Sequence, residues 1–406
     1  MVASTTATNP ERTGNSSSSA LSVVTKVLRS AGELPSLEQE WICWQRHPNC
    51  DFHFYQTVIE SLTSAIRPHI IVAYRDGVPV GMLVGRLDKS SVDLSVGYKR
   101  LVGVPARSLT LLHGGWVGEK SAEVAEAFAK SIQQSLEARE ADFAYFNHLR
   151  TDGELYRIVS QLAQDGSQGA IGLQRNHRGM NLYSTAAEFV KHLGTKERNN
   201  QKRRTRKLEE DFGDRAQVKS FGSVIDLDVL IRDVDQIAKK TYQRALGVGF
   251  EDNPDTRNRM TTEAGRGWLR GYVLYLDAAP VAFWLGSCYG TTFYSGFTGY
   301  DPAYGKYSPG MFLLIKALGE ICEQNSDGVL KIADFGLGDA EWKQVIGDLE
   351  WADVPVWIFA PSAKGSLLRS IRAASGLLDG AARATLRRLN LVARVKKVWR
   401  KSLGGN

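Results

Sequence analysis

The sequence is poor in the features that mark secreted, membrane-spanning and metal-stapled proteins. Its 406 residues hold four cysteines: Cys43, Cys50, Cys288 and Cys322. None has the close paired spacing of a zinc site, and four separate thiols fit a reducing compartment. No run approaches the ~18 consecutive apolar residues that a membrane helix needs. Val2 to Ser22 is Thr, Ser, Asn and Ala with no apolar centre, which argues against a signal peptide and predicts a disordered lead. Histidine is scarce too, at seven, and only His113, beside Gly114-Gly115, lies near a loop of catalytic character. These absences predict a cytoplasmic chain without a metal. Apolar residues at 43% and charged residues at 23% exclude a collagen or a mainly disordered chain. The length alone predicts roughly two to three domains.

The charge is unevenly spread. The formal net charge is +7, yet residues 362–406 carry eleven Lys or Arg against the single acid Asp379. A second basic run, Lys196 to Lys207, holds seven basic residues against Glu197. The remainder is an acidic globule. In the tail, Leu386, Leu389, Val392, Val395 and Trp399 recur at spacings of three or four amid Arg and Lys. That pattern predicts an in-plane helix on an anionic membrane surface through residues 383–401, with a helix folded back on the body, or RNA binding, as alternatives. In the other run, Arg203 and Arg206 share a helix face and suit bidentate contact with an anionic substrate. A plain solvated helix is the competing reading.

The chain contains an internal repeat. HIIVAYRDGVPVGMLVG from His69 aligns with GYVLYLDAAPVAFWLG from Gly271 at an offset of 201. Val72/Val273, Tyr74/Tyr275, Asp76/Asp277, Pro79/Pro280, Val80/Val281 and Gly85/Gly286 are identical. Each copy reads as strand, tight turn, strand, around Asp76-Gly77 and Asp277-Ala278. Around each hairpin the order is the same, helices before it and alternating strands and helices after it. This predicts an α/β fold of two related halves with mixed sheets and flanking helices. The expected divisions are a lead over 1–36, a first half over 37–180, a second half over 181–361, and the basic tail over 362–406.

The stretch most suited to chemistry runs from Tyr294 to Lys343. The strand TTFYSGFTGY carries Ser295, Gly296 and Gly299, and glycine inside a strand marks a bulge or a close approach to a ligand. Ser308-Pro309-Gly310 then opens the apolar helix MFLLIKALGEI, with Ser308 expected as N-cap. The free N–H groups there suit a phosphate, with Lys306 just outside; an ordinary capped helix is the alternative. The next strand ends in Asp334, placed for a general base or an Asx-type turn. Lys343 follows after GLGDAEW.

A bulged strand ending in GYDPAY, then SPG opening a helix, then DFGLGDAEWK, resembles the GNAT-type acyltransferases. The chain is similar in particular to the acetyltransferases associated with bacterial cellulose and exopolysaccharide biosynthesis, tandem GNAT proteins related to the FemABX peptidyl transferases. The resemblance covers about Trp41 to Phe359 and is strongest from Met180. It implies an acyl-CoA donor held by Phe297, Gly299, Lys306, Ser308, Gly310 and Met311. It implies direct attack by an amine or hydroxyl of an envelope- or polysaccharide-related acceptor, with Asp334, Tyr300 and Lys343 as catalytic candidates. Arg203, Arg206, Tyr304 and His113 are the substrate-binding candidates. The place of the family's glycine-rich pyrophosphate loop reads YGKYSPG, which leaves room for another acyl or aminoacyl donor. The first half lacks a helix-opening motif and is expected to be a degenerate partner shaping the acceptor cleft. A catalytically inactive binding module for an envelope synthase, and an aminoacyl transferase using tRNA, are the competing readings.

Overall fold

The computed structural model describes residues 23–96, 99–165, 169–241, 244 and 249–388. The lead over 2–22 and the tail positions Leu389, Val392, Val395 and Trp399 lie outside the described residues.

The first half comprises β1 (Val24–Leu28), α1 (Glu38–Trp44), α2 (Phe52–Ser61), β2 (Ala65–Arg75), β3 (Val78–Val96), β4 (Lys99–Gly118), α3 (Ala122–Glu137), β5 (Phe143–Arg150) and α4 (Glu154–Asp165). Two short strands follow, β6 (Gly169–Ile171) and β7 (Arg175–Asn181). The second half comprises α5 (Ala186–His192), α6 (Thr195–Phe212), β8 (Ala216–Phe221), α7 (Leu227–Ala238), α8 (Pro254–Gly265), β9 (Leu269–Leu276), β10 (Ala279–Tyr289), β11 (Thr292–Tyr300), α9 (Pro309–Gln324), β12 (Ile332–Leu337), α10 (Glu341–Ile346), β13 (Leu349–Phe359) and α11 (Ala363–Arg388).

The expected lead is too long, because Val24–Leu28 pairs with β2 and a 3-10 turn spans Ala31–Leu37. The helical stretch before the first hairpin is two helices, parted at Pro48, which opens a 3-10 turn between α1 and α2. Before the second hairpin, α5 and α6 are separated at Gly194, which is extended and precedes the restart at Thr195.

The strands form one mixed sheet in the order β1-β2-β3-β4-β5-β13-β7-β12-β11-β10-β9-β8, with β6 on β13. The two halves repeat each other in detail. Both hairpins turn through left-handed residues, Asp76-Gly77 and Asp277-Ala278. The β2–β3 register slips around Val80 and the β9–β10 register around Val281, the same repeat position. A second slip falls between Leu83 and Gly85 in β3 and between Trp284 and Gly286 in β10, again 201 apart. At Gly286 a Cβ would lie 2.4 Å from the Phe293 ring, so only glycine lets β11 close on the bulge.

The halves share a strand. One edge of β13 pairs antiparallel with β7 from Leu349 to Asp353 and with β6 from Val356 to Ile358. The other edge pairs antiparallel with β5 from Asp353 to Phe359. The C-terminal strand of the second half therefore completes the first. Apolar faces of α3 and α4, including Phe128, Ile132 and Val159, pack on the first half of the sheet. Leu313, Leu314, Ala317 and Leu318 of α9 pack on the second. Each buried Leu or Phe contributes about 1.5–3 kcal/mol. Asp51, 4% exposed, caps α2 through the Phe54 N–H and accepts from Arg266 (2.8 Å) and Tyr289 (3.1 Å) of the second half. α11 begins the expected basic tail. Leu368 docks beside Val92 and Ala106 on the long β3–β4 hairpin, and Arg372 covers the Trp357 ring at 4.2 Å.

Ala278 holds φ +64° in a turn whose first copy has Gly77 there. A left-handed non-glycine residue costs about 1–2 kcal/mol, offset in part by the chain entropy glycine loses on folding. Ala278→Gly is therefore expected to stabilise the protein by about 0.5–1 kcal/mol, read as a raised urea midpoint at unchanged slope. A lowered midpoint would contradict the strain.

Candidate functional site

β11 and β12 run parallel but pair at only three positions, Thr292/Ile332, Phe293/Ala333 and Tyr294/Asp334. Beyond Tyr294 they diverge, and Ser295–Tyr300 keeps only its β10 partner. The divergence has local causes. β10 and β11 slip register at Gly286, while β12 slips against β7 between Asp334 and Gly336, where Gly336 takes φ +73°. The buried Lys343 ammonium donates to the carbonyls of Gly336 (3.0 Å) and Leu337 (2.6 Å) and fixes the end of β12. Burial lowers its pKa to about 8.

The open edge of β11 leads to the start of α9. Tyr300, 45% exposed, lies beneath Gly310, where a Cβ would come 3.1 Å from its ring. Ser308 occupies the N-cap position but is left-handed and makes no side-chain cap bond, which corrects the expected Ser cap. The N–H groups of Gly310 and Met311 belong to the first turn and have no intrahelical acceptor. That turn contains no acid. Lys207 of α6 donates to the Lys306 carbonyl (3.2 Å), and the Tyr307 hydroxyl to Asp211 (2.6 Å), so the basic helix is fastened to the loop before α9. Arg203 lies one turn before Lys207 on the same face. Arg206 points elsewhere, to Glu210 at 3.4 Å. Tyr304 is half buried against the second-half core. Phe297 stays 42% exposed, whereas Gly299 faces Phe283 and Thr241, leaving only its backbone for a ligand.

The first half opens in the same way. β4 and β5 pair in parallel from Ser108/Phe143 to Leu111/Phe146 and then part. Its helix start is electrostatically opposite. Ser121 caps α3, and Glu119 and Glu123 stand beside it, paired with Arg75 at 2.8 and 3.1 Å. Acid at that position repels a phosphate, and the α9 start has none.

His113 and His148 lie two residues beyond the last β4–β5 pair, and Tyr294 and Asp334 form the last β11–β12 pair. The two openings meet there. His113 is 5.0 Å from His148 and 4.6 Å from His47, ring to ring, and His47 is 4.7 Å from Tyr294. His177 of β7, 6.2 Å from His113, is gripped at both nitrogens: Nε2 to Asp334 (2.5 Å) and Nδ1 to Asp353 (2.7 Å). It stacks on Trp351, its β13 neighbour, at 4.3 Å. Burial pulls the His177 pKa down, but the two carboxylates outweigh it and the net shift is upward. His47 and His113 are pushed down, chiefly by burial, and His148 falls to about 4 for the same reason. Asp334 Oδ1 also accepts the Gly336 N–H (2.7 Å), so the Asx-type turn and the histidine contact coexist. Among the described residues no group of three or more His, Cys, Asp or Glu is arranged to hold a metal ion.

A cavity of about 710 Å³ opens over this cluster. Its walls come from both halves: α2 and the β4 and β5 ends on one side, α8, β10 and Tyr294–Phe297 on the other. Glu263 is 5% exposed within it, accepting from Ser287 (2.6 Å) and Arg259 (2.8 Å). Of the residues expected from sequence, the fold brings His113 to the cavity and Asp334 beneath it, against His177. It gathers Tyr300, Tyr304, Lys306, Ser308, Gly310 and Met311 at the α9 start, with Arg203 nearby. His47, His148, His177, Asp353 and Tyr294 were not expected. The available signal was His148, directly after the aromatic run FAYFN.

The depressed histidines set an acid dependence. A group whose folded pKa lies below its unfolded value of about 6.5 supports folding above that pH and loses its contribution as pH falls through the folded value. With His148 and the buried His69 both at about 4, stability is expected to fall between pH 6.5 and pH 4. Urea midpoints across that range check it, and His148→Gln should flatten the slope.

Among curated proteins no sequence matches the chain. Solved structures do. A tandem GNAT protein from the clavulanic acid biosynthesis pathway superposes with TM-score 0.50 and 9% identity, over 84% of this chain and 99% of that one. FemX superposes at 0.49 with 11% identity, over 74% and 90%. A GCN5-related N-acetyltransferase from Sphaerobacter thermophilus reaches 0.41 with 10% identity, over 83% and 96%. The first of these carries the same fold of two GNAT-like halves. In sequence, the segment holding the basic helix, the divergent strands and the α9 start, residues 195–344, matches the family of acetyltransferase (GNAT) domains.

Proposed function

We propose that the protein transfers an acyl group from an acyl-CoA, bound where β11 leaves β12, to an amine or hydroxyl acceptor held in the cavity between the halves. The observation that carries this reading is the unpaired edge Ser295–Tyr300 running into an acid-free helix start flanked by Lys207 and Lys306. An open strand edge offers N–H and C=O groups to the pantetheine amides, as in strand addition. The first turn of α9 offers its N–H groups to the pyrophosphate. Basic side chains of α6 and the adjoining loop add charge-assisted contacts. The acid at the α3 start supports a single donor site, in the second half.

Attack of the acceptor on the thioester carbonyl places negative charge on its oxygen, beside strand-edge N–H groups that can steady it. Holding both reactants at one place supplies much of the rate. Tyr300, at the outer end of the edge, is the candidate to protonate the leaving thiolate. Lys343 acts by holding the end of β12, so its replacement should cost stability before chemistry. The resemblance to exopolysaccharide acetyltransferases supports an envelope- or glycan-related acceptor, and the basic tail supports reversible contact with an anionic membrane surface.

Acetyl-CoA, or another ester in a CoA panel, is expected to raise the melting temperature of the full chain. Reversing the two charges with Lys207→Glu and Lys306→Glu should weaken binding about tenfold or more, since each charge-assisted contact contributes about 1.5–3 kcal/mol. A flat thermal profile across the panel would sink the donor site.

A further inference from the structure

We propose that the first half supplies the base: His113 takes the proton from the acceptor's nucleophile, and His177, held between Asp334 and Asp353, is the positioning residue that sets the charge around it. This rests on the acyl-transfer reading. It makes the active centre composite, with the donor on one half and the proton acceptor on the other.

Three observations carry it. The first is position. His113 lies on the cavity floor, in ring contact with His47 and His148, and the cluster reaches the point where β11 and β12 part. A nucleophile meeting a thioester at that point meets this cluster from the cavity side. The second is protonation. His113 is neutral at neutral pH because it is buried, and a neutral imidazole can accept a proton. The third is what balances the imidazolium once formed. Two carboxylates, Asp334 and Asp353, face the single imidazole of His177. Asp353 is 1% exposed, and its Oδ1 is buried without a hydrogen-bond partner. Lys343 acts on Asp334 and Arg150 on Asp353 as well, yet both carboxylates favour the protonated form of His113.

The groups facing His113 oppose as well as help. His47, His148 and cationic His177 disfavour a second positive charge, and Arg259 and Arg175 act on His47 and His148 in the same sense. Tyr294, raised to about 12 by burial, stays protonated and donates to the Arg46 carbonyl. His113 is the group that receives the proton, and Asp353 is the first of the charges that favour it there. His148 is the other cavity-facing imidazole, but His113 alone contacts all three neighbouring rings.

The step balances. A C–N or C–O bond forms at the acyl carbon as the C–S bond breaks, its electron pair going to sulfur. The acceptor's proton passes to His113 and from there to solvent, and the CoA thiolate is protonated to the thiol. No oxidant or metal is consumed.

The test uses the full chain, acetyl-CoA as donor and ethanolamine as acceptor probe, with release of free thiol as the readout. His113→Gln is expected to lower kcat about 100-fold or more, the usual contribution of a general base, while acetyl-CoA affinity and melting temperature stay at wild-type values. Asp353→Asn should move the acid limb of the pH–rate profile to lower pH, which a merely structural role for the clamp would not do. Histidine-selective 15N spectra need no acceptor, and should show His177 doubly protonated and His113 neutral at pH 7. Wild-type kcat in His113→Gln overturns the base assignment and leaves the donor site standing. A neutral His177 overturns the clamp. Failure of wild-type protein to bind acetyl-CoA overturns the donor reading and this inference with it.

Discussion

The backbone pairing of β13 with β5 on one edge and with β7 on the other is the constraint from which the rest of the molecule follows. Without it there are two sheets, each ending in an open strand. With it there is one sheet, and the two strand openings are held at a fixed distance across it. The exchange of partners happens at Asp353, which pairs with Arg150 of β5 and Arg175 of β7. The same residue sends its buried carboxylate to His177. Register and side-chain chemistry thus coincide, because a one-residue slip of β13 would turn Asp353 to the opposite face.

The two halves show how a duplicated frame comes to hold unlike chemistry. Hairpin turns, bulges and the parting of parallel strands are common to both, since these depend on backbone conformation and close contacts. The helix starts have diverged in charge. Glu119 and Glu123 occupy one, while the other borrows Lys207 from a helix with no counterpart among the described residues of the first half. What the first half keeps just beyond its last strand pair is a pair of histidines, whereas the second half presents a tyrosine and an aspartate as its last pair.

Much of this frame was legible in the sequence, because it is local. Asp76-Gly77 and Asp277-Ala278 announce hairpins whatever surrounds them, and the 201-residue offset finds the duplication without any structure. Ser295, Gly296 and Gly299 marked a strand with a bulge, and the basic helix was visible as charge. The histidine cluster was not legible. His177 meets Asp334, 157 residues away, only because β7 lies beside β12, and β7 is a polar segment with no alternating pattern to declare it a strand. Ser308 was misread for another reason. The residue type suits an N-cap, but the preceding 3-10 turn drives it left-handed and its hydroxyl caps nothing. Lys343, named among the catalytic candidates, has its ammonium committed to backbone carbonyls.

The shared strand also dictates an order of events during synthesis. β5 joins β13 across contacts such as the Thr151 hydroxyl to the Ala352 carbonyl, 201 residues later in the chain. At a translation rate of about 5–20 residues per second, β5 waits roughly 10–40 s for its neighbour. During that interval its edge is an open template for pairing with other chains. The first half is made first and finished last, so the nascent chain depends on whatever shields that edge until Phe359 has left the ribosome.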